Sequence, residues 1–497
     1  MKPTLQLYDT LDRRKKPFEP LNPPHVGMYL CGPTAYSDAH LGHARSGITF
    51  DVLLRYLQHL GYRVRYVRNV TDVGHLQDEV AGEGEDRIAK KARLEQLEPM
   101  EVVQRYMNNY LRDMDRLNVR RPSIEPRASG HVPEQIAMIE RILAAGFAYE
   151  VGGSVYFDVP KYHAERKSYG ELSGRVVDDL LAGTRELDGQ EEKRSPLDFA
   201  LWKRAAPEHI MRWSSPWGEG FPGWHLECSA MGSKYLGEQF DIHGGGLDLL
   251  FPHHECEIAQ SKAAHGTAPA RYWMHNNLIL IDGEKMSRSK GNFITLQQFF
   301  AGDHPRLEEA FSPMVIRFFM LQAHYRSTLD FSNDALRAAR KGYKKLMNGL
   351  LALRTLRYPD TPGEGNEKIA HQVEQQCAAC ATGMDDDLNT AVTIAALFNL
   401  TKRINAFAAQ PDAAGTIPRE LFDRMRDTYQ TYVRDVLGLE EERPDDAGPL
   451  IDALLDVYSE AKAAKDYDRV DRIRANFRAQ GMIVKDTKQG VTWGYEE

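Results

Sequence analysis

The chain has 497 residues, enough for roughly two to four domains of about 100 to 200 residues each. Hydrophobic residues at 42% and charged residues at 27%, with 39 glycines and 25 prolines, exclude collagen-like, low-complexity and disordered classes. With 63 Lys and Arg against 71 Asp and Glu the net charge is −8, so a polyanionic partner must be met by a local basic patch.

No apolar stretch follows Met1-Lys2-Pro3 and no run of 18 apolar residues occurs, which predicts a cytoplasmic chain without membrane contact. The five cysteines, Cys31, Cys228, Cys256, Cys377 and Cys380, are few and odd in number, as expected in a reducing compartment.

In chain order, residues 25–31 (HVGMYLC) read as a buried strand, followed by the turn-rich GPT and by His40-Leu41-Gly42-His43. Ile48, Val52, Leu53, Tyr56, Leu57 and Leu60 recur at helical spacing up to Gly61, and RVRYVRNV supplies the next strand of a βαβ unit. FDIH (240–243) is expected as a third strand running into Gly244-Gly245-Gly246, and NLILI (277–281) as a fourth ending at Asp282-Gly283. The alternation predicts an α/β, Rossmann-type parallel sheet.

The expected organisation is a first half of the α/β domain over 1–120, an inserted connective subdomain over 121–214, a second half over 215–275 and a KMSRS-bearing region over 276–334. A helical bundle over 335–440 and a small C-terminal domain over 441–497 follow. The insert is marked by a shift to Pro, Ser and charged residues, and the bundle by helical periodicity without strand signals.

Four groups of residues carry chemistry. HLGH lies where a strand hands over to a helix, the place where unpaired N–H groups and the macrodipole attract phosphate. Lys285-Met286-Ser287-Arg288-Ser289-Lys290 follows a strand and turn, and its cations suit a developing pyrophosphate charge; alone it reads more readily as a solvated basic loop, and its pairing with HLGH favours the phosphate reading. Cys31, Cys228, His253 and Glu257 offer two thiolates, an imidazole and a carboxylate, a donor set that suits zinc, against the plainer alternative of buried thiols and a satisfied histidine. Residues 335–357 contain seven Lys or Arg and no Asp or Glu, a face able to track phosphates or simply to be solvated.

Other patterns are set aside. Cys377 and Cys380 lie in a helical stretch without a partner CxxC, Cys256 is left out of the ligand set, and His243-Gly244-Gly245-Gly246 lacks the G-x-S-x-G that a hydrolase elbow would need.

HLGH and KMSRS on one α/β frame resemble the signature pair of class I aminoacyl-tRNA synthetases. YLCGPTAYSDAHLGHAR, YVRNVTD, GWHLECSAMG, FDIHGGGLDLLFPHHECEIAQ, WMHNN, KMSRSKGNF and MDDDLNTA, in that order, are similar to the cysteinyl-tRNA synthetase family. The resemblance implies ATP-dependent activation of L-cysteine and transfer to the 3′-terminal ribose of tRNA(Cys). It implies one zinc ion on Cys31, Cys228, His253 and Glu257 binding the substrate thiolate, with Mg²⁺ accompanying ATP. It assigns His40, Gly42, His43, Lys285 and Arg288 to ATP binding and catalysis, and Gly32, Thr71, Trp224 and Asp248 to the amino-acid pocket. Arg337, Arg340, Lys344 and Trp493 become candidate tRNA contacts, and a monomer is expected.

Two segments depart from the family pattern. After Asp72 the chain runs VGHLQDEVAGEGEDRIAKKARLE, longer than the usual IDDKI, and the signature loop has Arg288 where lysine is common. The alternatives considered are a ligase joining activated cysteine to an amino sugar, a nonenzymatic tRNA- or zinc-binding paralogue, and a zinc hydrolase, for which H-E-x-x-H is lacking.

Overall fold

The computed structural model describes residues 5–74, 76–78, 83–177, 179–180, 192–207, 209–287, 290–442, 448–480, 482–487 and 490–495. The chain divides into two compact units, residues 1–440 and 441–497.

The first unit opens with a hairpin of β1 (Gln6–Asp9) and β2 (Arg14–Pro17), then β3 (His25–Leu30), α1 (Leu41–His59) and β4 (Arg63–Arg68). β5 (Leu76–Asp78), β6 (Glu83–Asp86), α2 (Arg87–Glu95) and α3 (Pro99–Arg116) carry the departure segment after Asp72 into a hairpin and a helix. There follow α4 (Val132–Ala144), β7 (Ala148–Val151), β8 (Ser154–Phe157), α5 (Val159–Arg166), β9 (Phe199–Arg204) and β10 (Gly220–Pro222). The chain returns through α6 (Trp224–Leu236), β11 (Phe240–Gly246), α7 (Glu255–His265) and β12 (Ala270–Asn276).

The central sheet has the order β12-β11-β3-β4, every pair parallel. Its strands are apolar because both faces are covered: Met28, Tyr29, Leu30, Ile242, Trp273 and Met274 are all buried. The expected parallel sheet is present, but its fourth strand is ARYWMHN rather than NLILI. β13 (Ile279–Ile281) instead pairs with β14 (Glu284–Lys285) and β15 (Leu329–Phe331) in a separate small sheet. Two short runs meet at Asn276-Asn277, and the second folds back at the Asp282-Gly283 turn, with φ of +52° and +78°, to pair with β14 instead. A strand spotted by its apolar run was therefore real but belonged elsewhere. Residues 148–222 supply a separate antiparallel sheet, β10-β9-β8-β7, whose apolar face packs with α4 and α7.

Beyond α8 (Leu296–Ala301) and α9 (Pro313–Leu321) the chain becomes helical, with α10 (Asn333–Thr355), α11 (Glu367–Asp385), α12 (Thr390–Ala409) and α13 (Arg419–Gln430). The MDDDLNTA motif ties this bundle to the α/β frame. Asp385 accepts from Tyr56 Oη at 2.7 Å, Asp386 pairs with Lys15, and Asp387 accepts from Tyr8 N, Tyr325 Oη and Arg326 Nε at 2.7–2.8 Å. A second tie is wholly buried. Asp51 of α1 accepts from Arg55 Nε at 2.7 Å and Arg317 Nη2 at 2.5 Å. Arg317 also donates to the carbonyls of Leu117 and Leu437, at 2.8 Å each.

The second unit consists of α14 (Gly448–Ala463), α15 (Tyr467–Arg478) and a hairpin of β16 (Met482–Thr487) and β17 (Gly490–Tyr495). Its own core contains Leu455, Tyr458, Val470, Ile473 and Phe477, with Trp493 packed against it. Among the described residues no helix is long and apolar enough to cross a membrane.

Two expectations follow. Removing the Asp51 carboxylate leaves two guanidiniums at or near full burial without their charge partner, so Asp51→Ala is expected to lower stability by about 3–5 kcal/mol in urea unfolding. At the start of α1, desolvation by the surrounding wall lowers the His43 pKa from 6.5 to about 4. Stability is then intact above pH 6.5 and falls as pH drops toward 4, because the unfolded chain takes up a proton that folded His43 refuses. His43→Asn should flatten that part of the unfolding free energy plotted against pH.

Candidate active site and metal cluster

Parallel strands bring their carboxyl ends to one edge, and ligands bind in the crevice there. β3 ends at Leu30, so Cys31 and Gly32 stand at that edge, joined by Gly246 at the end of β11, by Asp248 just beyond it and by Asn276 at the end of β12. Gly32 must be glycine, because a Cβ would run into the Asn69 carbonyl, while its N–H donates to Asn69 Oδ1 at 2.7 Å. A cavity of about 530 Å³ opens here, a size that suits a nucleotide with an amino acid attached. Cys31, Gly32, His40, Gly42, His43, Thr71, Trp224, Cys228, Asp248, His253 and Lys285 all line it.

HLGH caps α1 with its own side chains. His40 is the N-cap residue: its Nδ1 accepts from Gly42 N at 3.0 Å, and His43 Nδ1 accepts from His40 N at 3.2 Å. Each Nδ1 being an acceptor, the proton of each neutral ring resides on Nε2. The two rings lie 4.0 Å apart, centroid to centroid, with Phe293 of the following loop edge-on to His40. Lys285 ends the exposed strand β14 rather than lying in a loop, and Lys290 pairs with Glu284 at 3.4 Å. Arg288 lies outside the described residues.

The four expected metal ligands converge. Ligand atoms of Cys31, Cys228, His253 and Glu257 all lie within 4.8 Å of one another. Cys31 Sγ is 3.7 Å from Cys228 Sγ and 3.7 Å from Glu257 Oε1, and His253 Nε2 is 3.2 Å from the same Oε1. A tetrahedral zinc site with ordinary bond lengths has S–S, S–O and N–O edges of about 3.8, about 3.6 and about 3.4 Å. The residues present therefore fit such an ion. Burial away from any cation pushes the Cys228 thiol up to about 12 and Cys31 well above its ordinary range, a preference that a bound metal inverts.

Each ligand comes from a different place: the end of β3, the second turn of α6, the turn before α7, and the first turn of α7. His253 precedes the regular helix, because residues 250–254 form a wider turn with an extended Phe251. Its ring stacks 4.3 Å from Trp224.

Around the ligands stand side chains that the sequence reading did not assign. His243 Nε2 lies 2.8 Å from Glu257 Oε2, and the two Nδ1 atoms of His225 and His253 are 3.0 Å apart. His254 Nε2 lies 3.2 Å from Cys31 Sγ, and its Nδ1 is 2.8 Å from His275 Nε2, while His275 Nδ1 lies 2.8 Å from Thr10 Oγ1. Such outer contacts fix tautomers and ring orientation. Desolvation pushes His275 down to about 3 and His254 well below its ordinary range, so these rings are neutral. Cys31, His243, His254 and Glu257 form a second set of close donors sharing two ligands with the first. The signal available was the number of histidines near GWHLEC, FDIH, PHHE and WMHNN, though their order in the chain does not say which touches which.

Cys256 faces the other way. It packs in the core shared with the antiparallel sheet, 3.6 Å from Tyr169 Oη. The glycines after His243 serve close packing: a Cβ at Gly244 would meet the Phe50 ring and one at Gly246 the Asp248 carboxylate. On the basic helix, Arg337 pairs with Glu308 and Asp334 at 2.7 and 2.8 Å, and Arg340 with Glu309 at 2.8 Å, which reduces its positive charge; Lys344 is exposed. Trp493 belongs to the second unit.

Residues 17–341 match the family of tRNA synthetases class I (C) catalytic domains, and residues 381–441 match the DALR domain. Curated relatives named Cysteine--tRNA ligase include one from Cytophaga hutchinsonii, 60% identical over 493 residues and covering 99% of both chains. One from Porphyromonas gingivalis is 56% identical over 499 residues, again covering 99% of both. Among solved structures, Mycobacterium tuberculosis methionyl-tRNA synthetase in complex with methionyl-adenylate superposes with a TM-score of 0.58 at 15% identity, over 87% of this chain and 94% of that one, a likeness of fold. A class I catalytic domain over residues 17–341, a DALR domain after it and curated relatives at 56–60% identity over nearly the whole chain place this chain in the cysteine–tRNA ligase family.

Proposed function

We propose that the chain activates L-cysteine with ATP to cysteinyl-adenylate and transfers the cysteinyl group to the 3′-terminal ribose of tRNA(Cys). The observation that carries this reading is that Cys31, Cys228 and His253 of the four-donor cluster line one cavity with the HLGH helix start and Lys285. Cys31, Cys228, His253 and Glu257 would hold one zinc ion. When bound it would favour a thiolate over a hydroxyl ligand, the discrimination against serine that an apolar pocket supplies poorly.

The remaining steps fall to the chain's own residues. Trp224 beside His253, with Gly32, Thr71 and Asp248, lines the place for the amino acid. The cysteine carboxylate attacks the α-phosphate of Mg²⁺-bound ATP; the new acyl–phosphate bond forms as the bond to pyrophosphate breaks. His40 and His43, neutral donors through Nε2, and the cations Lys285 and Arg288 stabilise charge developing on the phosphates. The vicinal ribose hydroxyl of the tRNA then displaces AMP. The exposed Lys344 on α10 and Trp493 on β17 are the proposed tRNA contacts of their respective units. A reducing compartment such as the cytoplasm suits the site, since thiols 3.7 Å apart must stay reduced to bind metal.

ATP–pyrophosphate exchange tests this directly. Exchange is expected with cysteine, with serine poorer by on the order of 10⁴-fold, and abolished by chelation or in Cys228→Ser. Absence of exchange with any amino acid in metal-replete, folded protein would sink the proposal. Transfer assays with tRNA(Cys) and with an amino sugar then separate the two acceptor classes. Metal analysis after dialysis should find one zinc per chain in the wild type and in Cys256→Ser, and none in Cys228→Ser.

A further inference from the structure

Glu227 is used neither by the metal cluster nor by the nucleotide groups, yet it lines the same cavity while being 2% exposed. It immediately precedes Cys228 on α6, and two side chains of the 69–71 segment hold one of its oxygens. The Thr71 hydroxyl donates to Oε1, and Asn69 Nδ2 donates to the same atom at 3.1 Å. Asn69 also receives the Gly32 N–H, so the network runs from the residue after Cys31 to the residue before Cys228.

The other oxygen, Oε2, is buried and has no hydrogen-bond partner among the described residues. The charged groups acting on this carboxyl are themselves carboxylates, Asp72 and Glu257. Asp72 is already engaged by Ser129 N and Oγ, at 2.8 and 2.6 Å, and Glu257 by the cluster and His243. The lysine of the cavity, Lys285, sits on the exposed hairpin strand β14. A buried carboxylate oriented by two donors, with an unpartnered oxygen and anionic neighbours, calls for a cationic ligand group.

We infer that Glu227 receives the α-ammonium of the amino acid whose thiol is held at the Cys31–Cys228–His253–Glu257 cluster. The inference rests on the function proposed above and adds to it the group that orients the substrate. In cysteine the sulfur and the nitrogen are separated by three bonds, so a thiol anchored beside Cys228 brings the ammonium to the neighbouring wall. The same carboxylate repels the substrate's own carboxylate, which turns toward the nucleotide. Attraction and repulsion thus fix the zwitterion in the orientation that attack on the α-phosphate requires.

The test compares thiols that carry or lack an ammonium, as competitive inhibitors of cysteine-dependent pyrophosphate exchange by the metal-replete full chain. Cysteamine has the thiol and the ammonium, ethanethiol the thiol alone, and 3-mercaptopropionate the thiol and a carboxylate. Wild type is expected to prefer cysteamine to ethanethiol by about tenfold or more, the value of a charge-assisted hydrogen bond. In Glu227→Gln that preference should collapse to within about twofold and the KM for cysteine rise about thirtyfold, while 3-mercaptopropionate inhibition holds within about threefold. Glu227→Asp, which keeps the charge and shortens the reach, should fall between and carries the same comparison should Glu227→Gln not fold.

A parallel loss of cysteamine and 3-mercaptopropionate affinity, the mark of a merely structural residue, overturns the inference, as does an unchanged cysteamine preference. Wild type without cysteine-dependent exchange overturns the proposed function and this inference together. Active wild type with an indifferent Glu227→Gln overturns this inference alone.

Discussion

Two thiols, an imidazole and a carboxylate within 4.8 Å of one another form the arrangement around which the rest of the cavity is organised. Donors of this kind have no intrinsic reason to gather in a buried place, since each is desolvated and three of the four can carry negative charge. Separate pieces of backbone impose the gathering. Cys31 is fixed by the end of an inner strand of the sheet, Cys228 by a helix lying across it, and His253 and Glu257 by the chain entering α7. The neutral rings of His254 and His275 pack around them together with His243, on which Trp273 stacks at 4.4 Å. These contacts supply orientation, and the two neutral rings do so without adding positive charge, leaving the donors available to a cation.

The antiparallel sheet inserted between the two halves of the parallel one reinforces this placement. α7 carries Glu257 toward the cavity and Cys256 into the core of the antiparallel sheet on adjacent positions of one turn. Glu255, in the same turn, accepts from Ser173 N at 2.9 Å. Three consecutive residues thus face a loop of the insert, its core and the ligand cluster, so the insert helps to set the rotation of the helix that presents a ligand.

Much of this was legible because the chemistry is written in short strings. HLGH lies at the start of α1, YLC at the end of β3, and the spacing of His253 and Glu257 brings them together although the helix between them is irregular. Illegible were the features that depend on which strand neighbours which. NLILI has the composition of a core strand, yet the place beside β11 is taken by ARYWMHN, whose charged and polar letters conceal a buried Tyr272, Trp273 and Met274. The outer histidines and Glu227 were hidden for the same reason, since their roles arise between segments distant in sequence. Arg337 and Arg340 counted as free charge in the sequence, whereas Glu308 and Glu309, outside the basic window, come to meet them.

The arginine at the heart of the first unit bears on how such chains can be assembled by exchange of parts. The last residues of the DALR segment supply the Leu437 carbonyl to Arg317, and Gly438 lies where a Cβ would strike the same guanidinium. Asn118, whose carbonyl serves both Arg55 and Arg317, donates in turn to the Gly438 carbonyl at 2.9 Å. The helical segment is thus not a cassette clipped onto a finished catalytic domain, because its closing turn completes the solvation shell of a charge buried in that domain. A chimera joined upstream of residue 437 carries that turn with the donor's bundle, so recombination between relatives is viable only when Asp51, Arg317 and the 437–440 turn travel together.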